Sequence, residues 1–338
     1  MTLLASVFLL TAVPVVAQTP DSTVVDTAYT PGRYRVFTGS GGAASLDDVV
    51  RAMTSAQVVF VGETHDDPTA HMIELELLKR ATERHAASAA SDAPRSVALS
   101  LEFFERDVQL PLDEYLAGRI PESSFRTDTR PWPRYETDYR PLIEFAKERG
   151  LPVIAANAPR RYVSMVSRRG REALDELDVR ALELLPPLPF GRASAAYRAQ
   201  WIATMSEVME LEGMRCGVPV AHAPAPRGSH QNMGNQLDGQ VLWDATMAHA
   251  IARHLADHPD ALVLHMVGGF HVERGTGTPE QLQAYMPGAR ALIVSLRPVE
   301  DIDTFRPAPE GEWGDFVIQT ERERTLEAIE CRRFRAER

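Results

Sequence analysis

Four short apolar runs that end in polar residues constrain this chain more than any other feature. In the first, Gln57-Val-Val-Phe-Val-Gly-Glu-Thr-His65, β-branched residues closed by glycine predict a buried strand that stops abruptly. Asp67 suits a helix N-cap and Pro68 a first helical residue, so the polar tip is held between a strand and a helix. Ser96–Phe103 is a second such strand and carries Glu102 near its end, and Leu151–Asn157 is a third, ending in Asn157 with Arg160 just beyond. The fourth, Ala261–His271, ends in Gly268-Gly-Phe-His271 and so echoes the Gly-x-x-His of the first. With helical patterns between the strands, the chain reads as an α/β fold: a central, mostly parallel sheet flanked by helices. Such folds place ligands in the crevice at the carboxyl ends of their strands.

Helical spacing marks the segment after Pro68 (Ile73, Leu77, Ala81), Pro141–Arg149, Ala193–Glu212 and Gln240–Leu255. Arg119–Tyr139 has no clear period, and loops of that length in a compact domain often serve function. A helical cap is expected over about 160–238, within which 213–238 reads as the least regular interior stretch. Ala291–Leu296 and Asp315–Thr320 can add edge strands. The domain should run from about residue 34 to 320, with a disordered lead-in at 18–33 and a tail at 321–338.

Thr2–Ala17 is uncharged and mostly apolar, and Val15-Val16-Ala17 suits a signal-peptidase site, so export to the periplasm or beyond is expected. Pro14 and the shortness of the run argue against a membrane span. A net charge of -11 and a pI near 5.4 argue against a partner bound by broad phosphate neutralisation, which excludes most nucleic-acid binders. Two cysteines, Cys216 and Cys331, make no disulfide framework.

The polar strand ends supply the chemistry. Two imidazoles and a carboxylate, His65, His271 and Glu102, suit a divalent transition metal with a place left for water, and Glu63 or Glu102 could then act as base. Alternatively, each histidine only closes a strand end by hydrogen bonding loop backbone. Asp244 falls on the apolar stripe of its helix with Val241, Ala248, Ile251 and Leu255, so it must be paired or hydrogen-bonded; Arg160 is the expected cation, and a helix-anchoring hydrogen bond is the other reading. His71 and His85 read as solvated helix residues, as do His249, His254 and His258, whereas His222 and His230 either close over the site or belong to a surface insertion.

With these residues in place, the chain resembles the ChaN-like family of the haem-uptake and Tiki superfamily. The matching segments are Val58–Asp66, Leu101–Gln109, Asp138–Ala146, Ala155–Arg161, Gln240–Ala248 and Val267–Val272. The resemblance implies a ChaN/Tiki/erythromycin-esterase-like α/β domain in an exported bacterial protein that binds haem or iron. It implies haem as cofactor or small-molecule ligand, a homodimer enclosing it, and outer-membrane haem-uptake machinery as partner. By position, Glu63, His65, Glu102 and His271 carry the site, with Arg160 and Asp244 in support and Asn157 near the ligand. A tyrosine on the iron is implied too, for which Tyr135, Tyr139 and Tyr197 are candidates. More distant relatives imply the alternative, a metal-dependent hydrolase of peptides or esters.

Overall fold

The computed structural model describes residues 33–87, 96–215 and 229–322. The expected leader, both cysteines, His222 and the chain from 323 onward lie outside the described residues. One eight-stranded sheet, in the order β2-β1-β8-β7-β3-β6-β4-β5, carries the fold. It opens with β1 (Tyr34–Thr38) and β2 (Ala43–Ala44), an antiparallel pair. Ser45 then starts α1 (Leu46–Ala52) with a reciprocal capping box against Asp48.

The central strand β3 (Val58–Glu63) is buried along its whole length. Its residues alternate between two cores: Val59 and Val61 face one and Val58 and Phe60 the other. As expected from Asp67-Pro68, the Asp67 carboxylate accepts from the amides of Thr69 (2.9 Å) and Ala70 (3.2 Å) and starts α2 (Pro68–Ala87). After β4 (Val97–Glu105) come α3 (Gln109–Leu116) and α4 (Glu122–Thr129), the latter inside the stretch that shows no sequence period. A π-helical turn at Tyr135–Tyr139 leads into α5 (Arg140–Arg149), which Gly150 ends in the left-handed region. With α1 and α2, this group covers the first face of the sheet.

Strand β5 (Val153–Asn157) lies at the edge of the sheet, followed by α6 (Arg160–Arg169), α7 (Val179–Leu182), α8 (Ala195–Arg215) and the long α9 (Ser229–Asp257). Val163 and Val166 of α6, Tyr197 and Trp201 of α8, and Leu237 and Val241 of α9 share a third core. Helix α9 reaches back to Ser229, so the last third of the stretch expected to be irregular is helical. Its later part covers the second face of the sheet together with α10 (Thr278–Tyr285).

Strand β6 (Leu262–Gly268) pairs in parallel with both β3 and β4. Strands β7 (Ala291–Val299) and β8 (Phe316–Glu321) are not edge strands: β7 lies beside β3, and β8 joins β7 to β1. Backbone pairing makes the difference: β7 hydrogen bonds in parallel to both β3 and β8, and β8 pairs on its other side with β1. The sheet thus sets the carboxyl ends of β3, β6 and β4 side by side.

Candidate functional site

Gly268 is the centre of the strand-end crevice. The parallel register puts Glu63 beside it, and β4 pairs with β6 as far as Leu101 and Met266, one residue short of Glu102. The Gly268 amide donates to Glu102 Oε2 at 2.7 Å. On its other side, a Cβ at Gly268 would stand 2.9 Å from His65 Cε1 and 3.1 Å from His65 Nε2. The missing side chain is what lets an imidazole and a carboxylate close on one stretch of backbone.

His65 stands on the open side. Its Nδ1 hydrogen bonds Glu63 Oε1, and the edge of Trp132 meets its ring at 5.0 Å between centroids. The side chain is 48% exposed, yet its inner edge lies against Gly268. Burial of that edge favours the neutral ring, but the hydrogen bond to Glu63 and the charges of Glu63, Glu102 and Glu74 outweigh it and raise the pKa to about 9. Glu63 is buried, and its Oε2 has no hydrogen-bond partner among the described residues.

Beneath this loop lies a polar web. His71 Nδ1 bonds Glu74 Oε2 at 3.1 Å while His71 Nε2 donates to the His65 carbonyl at 3.2 Å. Asp138 lies 3.6 Å from His71 Nε2 and 2.7 Å from Arg134 Nε. Burial works against the His71 cation, but its bond to Glu74 and the charges of Glu74, Glu63 and Asp138 raise its pKa to about 9. Burial in turn pushes the Glu74 carboxyl up, against the pull of His71. His71 and His85 are both buried, contrary to the expectation of solvated residues. The face of α2 that looks polar in sequence is where His71 meets Glu74 and Asp138 and anchors the His65 loop.

His271 lies on the closed side, in the turn Gly269–His271 that follows β6. Its Nδ1–H donates to Asp244 Oδ1 at 2.7 Å, and its Nε2 lies 3.1 Å from Gln240 Nε2 and 3.5 Å from Glu102 Oε1. Asp244 also accepts from the Thr278 hydroxyl at 2.8 Å and from the Tyr197 hydroxyl. Burial again opposes the imidazolium, and the Asp244 and Glu102 charges raise its pKa regardless. Glu102 is fully enclosed, which would push its carboxyl up; His271, His65 and the Gly268 amide hold it below the usual range instead.

The structure therefore sets Glu63, His65, Glu102, His271 and Asp244 next to one another around Gly268. It does not bring Arg160 to Asp244. Val163 and Val166 turn α6 toward α9, which leaves Arg160 exposed on the first turn. Asn157 is buried at the end of β5, where its Oδ1 accepts from the Ala158 amide at 2.9 Å. Among the described residues, no group of three or more His, Cys, Asp or Glu is placed to hold a metal ion, so the expected shell of His65, His271 and Glu102 is not assembled. The physical reason is that the remaining donors are already placed elsewhere: Glu102 Oε2 accepts from the Gly268 amide and His271 Nε2 lies 3.1 Å from Gln240 Nε2.

The candidate tyrosines are all buried, Tyr135 at 3%, Tyr139 at 2% and Tyr197 at 1% exposure. Tyr139 packs on Phe103 at 3.9 Å and on His71 at 4.9 Å, Tyr135 lies beside Phe125, and the Tyr197 hydroxyl is held by Asp244. Sequence reasoning missed Trp132, Gln240, Thr278 and the His71 web. For His71 the signal was present, as an acid three residues along the same helix.

These features define an α/β protein with a titratable crevice at the carboxyl ends of its parallel strands. The chain belongs to the family described as haem-binding uptake, Tiki superfamily, ChaN, which it matches over residues 49–282. The structure of ChaN of Campylobacter jejuni, described for cofacial heme binding, superposes with a TM-score of 0.61 at 14% identity and covers 85% of this chain and 97% of that one. An erythromycin esterase mutant, EreC, in its open conformation aligns with a TM-score of 0.41 at 12% identity, over 86% of this chain and 83% of that one. A curated relative, the chloroplastic protein RETICULATA-RELATED 5 of Arabidopsis thaliana, is 25% identical over 256 residues. The match takes in 73% of this chain and 32% of that protein, so the chain spans about a third of its relative's length.

Proposed function

We propose that this chain binds haem at the strand-end crevice, with His65 as the donor to iron. Family membership across residues 49–282 carries the reading. The residues at the crevice agree with it in one specific way. Because Glu63 takes the Nδ1 side of His65, the ring is fixed and Nε2 is the nitrogen left for a ligand, the usual arrangement of a metal-bound histidine and its carboxylate. The buried tyrosines fit the iron less well, since each would have to leave its packing. Trp132 adds an aromatic edge beside the donor.

Bound haem would supply iron-centred ligand-exchange or redox chemistry. The chain's own part is to orient and discharge His65. With its pKa at about 9, the ring is mostly cationic at neutral pH and must lose a proton before Nε2 can bind, so affinity should rise as pH approaches that value. Export, suggested by Thr2–Ala17, belongs to the same reading, as do a homodimer and delivery to outer-membrane uptake machinery.

Titrating the purified apo-protein with hemin tests this. A saturable Soret shift that is lost in His65→Ala is expected; no shift at micromolar protein would overturn it. A second reading is hydrolysis of an ester or peptide, alone or with a divalent transition metal. It is favoured by the orphaned Glu63 Oε2, an acceptor that could hold a water proton beside the His65 imidazole. Turnover of a model ester or peptide that Glu63→Gln abolishes, in protein free of hemin, would support it. No turnover with or without added zinc would remove it.

A further inference from the structure

At the far end of the sheet from the crevice, the amino end of β5 opens on a second cavity of about 560 Å³, bounded by α3, the end of α5 and the last turns of α9. Arg106, Lys147 and Arg253 line it together with His254. Among the described residues none of the three cations has a carboxylate within salt-bridge distance, although the surface elsewhere is rich in such pairs. Lys147 instead lies 3.6 Å above the ring of Tyr115. Arg106 reaches no more than the Ala155 carbonyl, at 3.4 Å. Burial and the charge of Arg253 disfavour its cation, and the charge of Asp113 offsets them only in part. His254 Nε2 is buried without a partner among the described residues.

Two carboxylates also line the cavity, Asp113 and Asp257. Asp113 is engaged, accepting from Gln109 Nε2 at 2.8 Å. Gln109 also decides what kind of ligand the cavity can take. Its Nε2 donates to the Val153 carbonyl at 2.8 Å and its Oε1 accepts from the Ala155 amide at 2.8 Å, as a neighbouring strand would. With those edge groups satisfied, an extended peptide cannot add to β5 there. What remains is a small-molecule cavity of ordinary size with surplus positive charge, in a protein whose net charge is -11.

We infer that this cavity is a binding site for a small oxyanion-bearing molecule, held by Arg106, Arg253 and Lys147 with His254 as a further donor. Guanidinium groups match phosphate and carboxylate oxygens two at a time, and an anion would relieve the crowding of Arg106 by Arg253. Nothing in this site is shared with the strand-end crevice. Along α9, Arg253 lies nine residues beyond Asp244, roughly 14 Å at the rise of an α-helix.

Calorimetric titration of the full chain with pyrophosphate, inorganic phosphate and citrate at low ionic strength tests the inference. Saturable binding is expected beyond that of sodium chloride at matched ionic strength, and the preference between pyrophosphate and citrate distinguishes a phosphate ligand from a polycarboxylate. Arg253 is exposed, so Arg253→Gln should fold; it should weaken binding about tenfold or more, melt no lower than the parent without anion, and bind hemin as before. Absence of saturable binding by all three probes would overturn the inference. So would unchanged affinity in both Arg253→Gln and Arg106→Gln, or an affinity loss that appears only with a fall in melting temperature.

Discussion

The two Gly-x-x-His segments share a pattern and do different work. His65 takes its carboxylate from two residues earlier in its own strand and keeps half its ring open. His271 takes its carboxylate from a different element, α9; it is closed in beside Gln240, and Tyr197 and Thr278 hold the same Asp244 carboxylate. A local acid leaves a ring free to meet a ligand; an acid delivered by a long helix ties a strand end to the layer above it. The sharpest way to break this comparison is Asp244→Ala. It leaves the buried His271 Nδ1–H and two hydroxyls without their acceptor, so a loss of about 3–5 kcal/mol in denaturant unfolding is expected. A loss under about 1 kcal/mol would show that the closed limb is not structural.

The same contrast has a pH signature. The folded pKa of His271 is raised above its reference of 6.5, so its stabilisation is complete below 6.5 and is lost as pH rises through the folded value. His71, raised to about 9, adds a loss of the same sign. His265 behaves oppositely. Buried in β6 against the Ser100 hydroxyl at 2.9 Å, it is held neutral by burial, with its pKa lowered to about 3. Its contribution is present above 6.5 and is lost as pH falls toward 3. Unfolding free energy followed from pH 4 to 10 should fall at both ends, and Asp244→Asn should flatten part of the alkaline side. An alkaline side as steep in that variant as in the parent would place its cause in His71 and in His65, which is likewise raised to about 9.

A smaller effect is expected from Tyr197→Phe. The hydroxyl is one of three donors to Asp244, and the ring keeps its packing against Phe270 at 5.3 Å. Losing one hydrogen bond to a buried charge should cost about 1.5–3 kcal/mol and leave hemin binding at His65 intact. A hemin affinity that falls with it would mean that the two limbs are coupled through Glu102.

Much of this was legible in the sequence, for identifiable reasons. Buried parallel strands are near-continuous apolar runs, so β3, β4, β5 and β6 announced themselves, and the polar residues at their ends followed. Asp244 could be recognised as buried from its place on an apolar stripe. Its partner could not, because α6 is turned by Val163 and Val166, residues whose neighbours come from other elements. His71 was misread because a helix face lined with His and Glu looks solvated until Asp138 arrives from the turn before α5. Strands β7 and β8 looked like edges because nothing local says how many neighbours a strand has.

His65→Ala should have the smallest effect on stability and the largest on ligand binding. The ring is half open, so water can reach the buried Glu63 carboxylate once it is gone and screen its charge. About 1 kcal/mol or less is therefore expected in unfolding, with complete loss of the hemin Soret shift. Gly268→Ala sharpens the result without removing the donor. Its methyl would stand 2.9 Å from His65 Cε1, so the ring must swing away from Glu102 while the bonds from His271 to Asp244 and from the Gly268 amide to Glu102 have no reason to break. If Gly268→Ala weakens hemin binding and its alkaline pH dependence with little change in stability, the position of His65 is what the crevice supplies. If hemin binds as before, the donor lies elsewhere, and the open limb is left with the orphaned carboxylate oxygen of Glu63 as its distinguishing chemistry.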